Sequence, residues 1–144
     1  MKLDLASLKV GEALPELRAG PISRHDIACY AAGSGDLNPI HVDSDYAREN
    51  AGLPDVIVHG MYSMGYLGRF IADWVGPGAI ESLETRFESI LNVGDSLYCT
   101  GKIAKMEASG ATIRVTVELC GCKTDGSRVV SGHAVVLSTG RDEA

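Results

Sequence analysis

The sequence lacks clustered basic residues and long hydrophobic runs. Its 13 Lys and Arg are outnumbered by 19 Asp and Glu, which gives a net charge of −6 at pH 7. Because a nucleic-acid backbone is bound by clustered cations, the sequence predicts no nucleic-acid partner. The longest apolar segment, residues 61–75, contains Arg69 and Asp73 and falls short of the ~18–20 apolar residues of a membrane helix. We therefore predict no membrane association.

Signals for export and for division into several domains are equally scarce. The first ten residues, MKLDLASLKV, carry charges throughout and lack the apolar core of a secretory signal. Neither an internal repeat nor a charge block divides the 144 residues. The sequence predicts a cytoplasmic protein with one domain over residues 1–144.

Cysteines are few, and their spacing is not that of a zinc site. Cys29, Cys99, Cys120 and Cys122 include no Cys-x2-Cys pair. Cys120 and Cys122 would share one face of a strand, so a disulfide or metal site remains an alternative. The interpretation we favour is reduced thiols that are buried or half-buried.

Three helices are predicted in the first half of the chain. Ser23 and Asp26 form a capping-box pattern, and Gly33 and Gly35 end the helix that follows. A second helix begins near Asp43 or Ser44 and ends at Gly52. The third covers residues 60–75 and is so apolar that protein should surround most of it. Its core-like stripe comprises Met61, Met64, Leu67, Gly68, Ile71 and Trp74.

From Gly78 onward the hydrophobic period changes to two. The segments SLETRFES, VGDSLYCTGKIAKM, ATIRVTVEL and RVVSGHAVVLS alternate apolar and polar residues, and EASG and KTDGS are short turns. Short turns predict antiparallel pairing, and the apolar face of the sheet needs a cover. Because the helix over residues 60–75 is the element long and apolar enough, the sequence predicts an α+β protein of the hot-dog kind, with a sheet wrapped around a central helix.

A ten-residue stretch, SGDLNPIHVD, carries the candidate chemistry. On one helix Asp36 and His41 would point about 140° apart, but Pro39 interrupts such a helix. Gly35 and Asn38 tolerate left-handed backbone conformations. The stretch is therefore predicted to be a tight loop ahead of the central helix, in which an acid and an imidazole converge as a general acid–base pair. Asn38 would orient one of them or hold a water.

Two alternatives for this stretch remain open. Asp, Asn and Pro also make ordinary turns without any catalytic role. His41 and Asp43 could instead bind iron together with His59 or His133, as in a facial triad. We disfavour the iron site, because such sites usually lie on all-β barrels, and we predict no metal.

The segments YAAGSGDLNPIHVDSDYA, VHGMYSMGYLG and VGDSLY resemble the MaoC-like hydratase/dehydratase family. The resemblance is closest to single-hot-dog members, namely (R)-specific enoyl-CoA hydratases and (3R)-hydroxyacyl-ACP dehydratases. The matching positions are Tyr30, Ser34, Gly35, Asp36, Asn38, Pro39, Ile40, His41, Asp43, Ala47, His59, Gly60 and Met61.

The resemblance implies a hydro-lyase that adds water to trans-2-enoyl thioesters to give (3R)-hydroxyacyl thioesters, or removes it. Asp36 and His41 would activate the water. No metal or redox cofactor is expected, and CoA or acyl carrier protein would carry the acyl chain.

The start of the central helix supplies the remaining candidates. The thioester oxygen gains negative charge during attack and needs a donor, for which we predict the N–H of Gly60 at the positive end of the helix. Ser63, Met61 and Tyr62 are predicted to contact substrate. His59 is predicted to be structural.

The expected assembly is a homodimer with continuous sheets, or a heterodimer with a related hot-dog subunit. Two other functions compete with the hydratase. Hot-dog thioesterases usually rely on an acid from the central helix region, and non-catalytic acyl-binding subunits tend to lack the Asp or the His.

Overall fold

The computed structural model describes residues 5–138, in which four helices precede most of a five-stranded sheet. The helices are α1 (Arg24–Ser34), α2 (Pro39–Val42), α3 (Ser44–Ala51) and α4 (Gly60–Val75). The strands are β1 (Leu17–Ala19), β2 (Ile80–Phe87), β3 (Leu97–Ser109), β4 (Thr112–Cys122) and β5 (Arg128–Ser138).

Local signals set the ends of the first helices. Ser23 caps α1 in a reciprocal capping box with Asp26, and Gly35 ends the helix at φ 77°. Asp43 caps α3 by accepting hydrogen bonds from two backbone N–H groups, and Gly52 ends it. These predicted boundaries are confirmed.

The predicted loop between α1 and α3 contains an unforeseen single helical turn, α2. Asn38 caps α2 and Pro39 lies in its first turn, where the missing proline N–H costs nothing. Pro39 therefore begins a helix as well as interrupting one. Asn38 has φ −54°, so the turn does not use the left-handed conformation that asparagine tolerates.

The strands pair antiparallel in the order β1-β3-β4-β5-β2, which makes β1 and β2 the edges of the sheet. On β4 the side chains of Val115, Val117 and Leu119 are buried and alternate with exposed or half-buried ones. Helix α4 buries Leu67 and Ile71 against this inner face. The predicted hot-dog architecture is confirmed.

The buried face of α4 differs from the predicted stripe. Ser63, Leu67, Phe70 and Ile71 are buried, whereas Met61 is 54% exposed. The sheet of one chain covers one side of α4, and that side is rotated away from Met61. Helix α4 has more apolar residues than this sheet can cover. The hydrophobic periodicity alone therefore predicted the wrong buried face for the helix.

Three of the four cysteines lie on the sheet and are buried or half-buried, as predicted. Cys29 lies on α1 and is exposed, so the predicted burial is wrong for this thiol. Cys99 is buried, and burial raises the pKa of its thiol to about 12. Cys120 and Cys122 are half-buried with their Sγ atoms 2.9 Å apart. Burial, together with the Cys122 contact, raises the pKa of Cys120 to about 12. None of the helices within residues 5–138 has the length and apolarity needed to cross a membrane.

Candidate active site

The turn after α1 holds Asp36 by short-range hydrogen bonds. The Asp36 N–H donates to Ser34 Oγ at 3.2 Å, and the Asn38 N–H donates to Asp36 Oδ1 at 3.3 Å. Asn38 Oδ1 in turn accepts from the Ile40 N–H at 3.2 Å. The turn chemistry therefore occupies Oδ1 of Asp36, and Oδ2 remains available to the neighbouring imidazoles.

His41 presents one ring nitrogen to Asp36. It lies on α2 and is 8% exposed, and its Nδ1 is 2.7 Å from the backbone oxygen of Ile57. Because a carbonyl oxygen only accepts, Nδ1 carries the proton and Nε2 keeps a lone pair. That Nε2 lies 4.0 Å from Asp36 Oδ2. Asp36 and His41 thus converge, as the sequence predicts.

A second histidine, His59, completes the cluster. It is 2% exposed and precedes the first residue of α4. Its Nε2 lies 3.0 Å from the Asp36 carbonyl oxygen and 4.0 Å from Asp36 Oδ2, and its ring stacks on His41. The sequence predicted a structural role for His59, with iron ligation as an alternative, but not its contacts with Asp36 and His41.

The same three side chains offer ligand atoms within 4.8 Å of one another, but the stacked rings do not suit a shared metal ion. The rings of His41 and His59 have centroids 3.7 Å apart and an interplanar angle of 21°. An imidazole lone pair lies in the plane of its ring, and one ion cannot lie in two nearly parallel planes at that separation. Asp43, the other acid of the iron alternative, instead caps α3.

A cleft of about 320 Å³ opens beside His41, and Asp36 lies behind His41 without lining it. Its lining includes His41, Gly60, Ser63, Phe87 and Ile90. Ser63 is 1% exposed, and its Oγ has no hydrogen-bond partner within residues 5–138. The cleft therefore joins an imidazole, a helix N-terminus and an unpartnered hydroxyl to apolar walls.

A second, larger concavity lies elsewhere on the described part of the chain. It measures about 620 Å³ and is lined by outward-facing residues of β3, β4 and β5, including Lys102, Glu118 and His133. Neither Asp36 nor His41 lines it. Because it contains none of the predicted site residues, we assign the candidate site to the smaller cleft.

Three predicted site residues have other contacts. Met61 is exposed and does not line the cleft. Tyr62 packs its ring on Tyr30 and Tyr66, and burial, followed by the Tyr66 hydrogen bond, raises its pKa. Asn38 uses its side-chain oxygen to cap α2. Their predicted roles at the site remain predictions.

Asp55 anchors the segment that leads to Ile57. It accepts hydrogen bonds from Arg24, from Ser44 Oγ at 2.8 Å, and from Arg48 Nη2 at 3.4 Å. The bond from Arg24, followed by that from Ser44, holds the pKa of the Asp55 carboxyl well below its usual range. These contacts tie α1 and α3 to the strand-like segment whose carbonyl orients His41.

A sheet wrapped around a central helix defines the hot-dog class, and here the candidate cleft lies at the N-terminus of that helix. The family model of the MaoC like domain matches residues 7–137, and the chain belongs to this family.

Known relatives agree in fold and in sequence. The chain is 32% identical over 127 residues to an "(R)-specific enoyl-CoA hydratase" of Rhodospirillum rubrum, covering 85% of this chain and 84% of that protein. It is 28% identical over 139 residues to a "3-hydroxybutyryl-CoA dehydratase" of Methylorubrum extorquens, covering 95% and 85%. The R-hydratase PhaJ1 of Pseudomonas aeruginosa superimposes with a TM-score of 0.78 and 29% identity, covering 94% and 85%. The comparisons confirm the predicted family, and its named relatives are hydro-lyases.

Proposed function

We propose that the protein hydrates trans-2-enoyl thioesters to (3R)-hydroxyacyl thioesters, or catalyses the reverse dehydration. One observation carries the proposal: Asp36 Oδ2 and His41 Nε2 face each other at 4.0 Å. This distance is too long for a direct hydrogen bond and suits a water between the two atoms. The names of the relatives from Rhodospirillum rubrum and Methylorubrum extorquens support the same reaction class.

The tautomer of His41 supports a proton path. The Nε2 lone pair takes a proton from the water while the water oxygen bonds to C3 of the substrate. The C2–C3 double bond opens, and the imidazolium then returns that proton to C2. Asp36 orients the water by accepting its second hydrogen. One water is consumed and no electrons are transferred, so the reaction requires no redox cofactor.

Gly60 and Ser63 support binding of the thioester carbonyl. Gly60 is the first residue of a 16-residue helix, so its N–H has no acceptor within the helix and lies at the positive end of the dipole. Ser63 follows one turn later, lines the same cleft and has an unpartnered hydroxyl. Donors fixed in advance at such a point stabilise the enolate-like oxygen. The CoA or acyl carrier protein joined to the thioester would lie outside the cleft.

A homodimer is the assembly we propose. Strand β2 lies at an edge of the sheet, and Met61, Phe87 and Ile90 expose large hydrophobic side chains. An eight-residue free edge beside exposed apolar side chains favours pairing with a second sheet. Sedimentation equilibrium is expected to give twice the chain mass. A monomer would contradict the homodimer and favour pairing with a related hot-dog subunit.

Hydration of crotonyl-CoA tests the activity, because the enoyl-thioester absorbance is lost. Wild type is expected to turn over, and Asp36→Asn and His41→Ala are each expected to lower kcat by about 10²-fold or more, with folding checked by circular dichroism. His133→Gln is the matched control, because His133 lies on the outer face of the sheet. Release of free thiol would identify a thioesterase instead, and acyl-CoA binding without turnover would identify a binding subunit.

A further inference from the structure

His59 contacts both members of the proposed acid–base pair. Its Nε2 is 3.0 Å from the backbone oxygen of Asp36, and its ring stacks on that of His41 with centroids 3.7 Å apart. Tyr30 covers it with a tilted ring at 4.8 Å. His59 itself does not line the cleft. We infer that His59 is a positioning residue, a neutral imidazole that holds Asp36 and His41 at the distance the reaction needs. This inference rests on the proposed function.

Hydrogen bonding fixes the tautomer of His59. Because the Asp36 carbonyl oxygen only accepts, Nε2 of His59 carries the proton. Nδ1 is buried and has no hydrogen-bond partner within the described part of the chain. A second proton there would be a buried donor without an acceptor, which is costly. His59 is therefore held neutral in the Nε2–H form.

The two stacked histidines thus have opposite tautomers. His41 carries its proton on Nδ1, bonded to Ile57, keeps the Nε2 lone pair beside Asp36 and lines the cleft. His59 carries its proton on Nε2, bonded to Asp36. Only the imidazole that lines the cleft can exchange a proton with water there, so His41 handles protons and His59 supports it.

The hydrogen bond from His59 joins the Asp36 turn to the residue that precedes α4. Three side-chain hydrogen bonds at the Asp36 end of the turn join residues two positions apart, whereas His59 and Asp36 are separated by 23 positions. The far end of the turn is tied separately, because Ile57 bonds Ile40 and His41. Short-range bonds fix the shape of the turn but not its place relative to α4. Misplacing a reacting group by ~1 Å can cost ~10²-fold in rate, so the loss of the His59 hydrogen bond should lower kcat.

Two isosteric substitutions isolate the contact. His59→Gln places an amide N–H where Nε2 was, and His59→Asn places one where Nδ1 was, which has no partner. We expect His59→Asn to lower kcat for crotonyl-CoA hydration by about 10²-fold and His59→Gln by about tenfold or less. KM should change by less than about twofold in both, because His59 does not contact the cleft. His133→Gln serves again as the control. Equal losses in the two variants, or wild-type kcat in both, would overturn the inference.

A spectroscopic measurement tests the inference without turnover. In ¹⁵N-histidine-labelled wild type, long-range ¹H–¹⁵N correlation is expected to assign His59 as neutral Nε2–H and His41 as neutral Nδ1–H at neutral pH. A charged His59, or one with its proton on Nδ1, would contradict the inference. Because this readout needs no substrate, a wild type without hydratase activity would overturn the proposed function and leave the tautomer of His59 independently testable.

Discussion

The ring of Phe87 lies against the backbone of Gly60 at the mouth of the cleft. A Cβ placed on Gly60 would come 3.3 Å from two ring carbons of Phe87. That spacing is tight, and the ring is half exposed, so it can move by a few tenths of an ångström. Gly60 therefore permits the close approach of two walls where the thioester carbonyl is proposed to bind.

Gly60→Ala is expected to lower kcat/KM for crotonyl-CoA by roughly 10²-fold, because the added methyl group obstructs access to the Gly60 N–H. The fold should persist, since the clash involves a mobile ring. Gly65→Ala is the matched control on the same helix, where a Cβ meets nothing within 4 Å. It should leave activity unchanged and raise the free energy of unfolding by about 0.5–1 kcal/mol. Activity retained in Gly60→Ala would exclude the proposed oxyanion contact.

Ser63→Ala is expected to raise the stability of the protein and to lower its activity. Among residues 5–138 the buried Ser63 hydroxyl has no partner, so its removal should raise the free energy of unfolding by about 1 kcal/mol, measured by urea denaturation. If the hydroxyl binds the thioester, kcat/KM should fall by about tenfold. A variant that is less stable than wild type and fully active would show that Ser63 serves packing.

The sequence contained enough local information to predict most element boundaries. Capping by Ser23 and Asp43 and the stops at Gly35 and Gly52 depend on neighbours within one turn, which is why they could be recognised. The alternation on β4 likewise identified its buried face, since a two-sided strand repeats every two residues. The convergence of Asp36 and His41 followed from a loop that closes within six residues.

Features that depend on tertiary contacts could not be derived in this way. The rotation of α4, which exposes Met61 and buries Ser63, is set by how the sheet covers the helix. The contact of His59 with Asp36 joins residues 23 positions apart, and no local pattern specifies it. By contrast, the one-turn helix at Pro39 could have been predicted from the sequence, because proline favours the first helical turn.

The carboxyl of Asp55 is held ionised by its hydrogen bonds from Arg24 and Ser44. Its pKa in the folded protein lies below the unfolded value near ~3.9. The stabilisation is therefore complete above that unfolded pKa and is lost as pH falls towards the folded one. Asp55→Asn is expected to lower the urea midpoint of unfolding at pH 7. At about pH 3 the difference in midpoint between this variant and wild type should be smaller.

Asp73→Asn provides the comparison for Asp55→Asn. Asp73 pairs with Arg69 on the exposed surface of α4, where an ion pair contributes little, so this variant should match wild type at both pH values. An Asp55→Asn midpoint offset that is the same at both pH values would mean that packing, and not the ionised carboxylate, accounts for the effect. A smaller difference in urea midpoint between wild type and Asp55→Asn at pH 3 than at pH 7 would instead show that the ionised carboxylate of Asp55 stabilises the packing of α1 and α3 on the segment that orients His41.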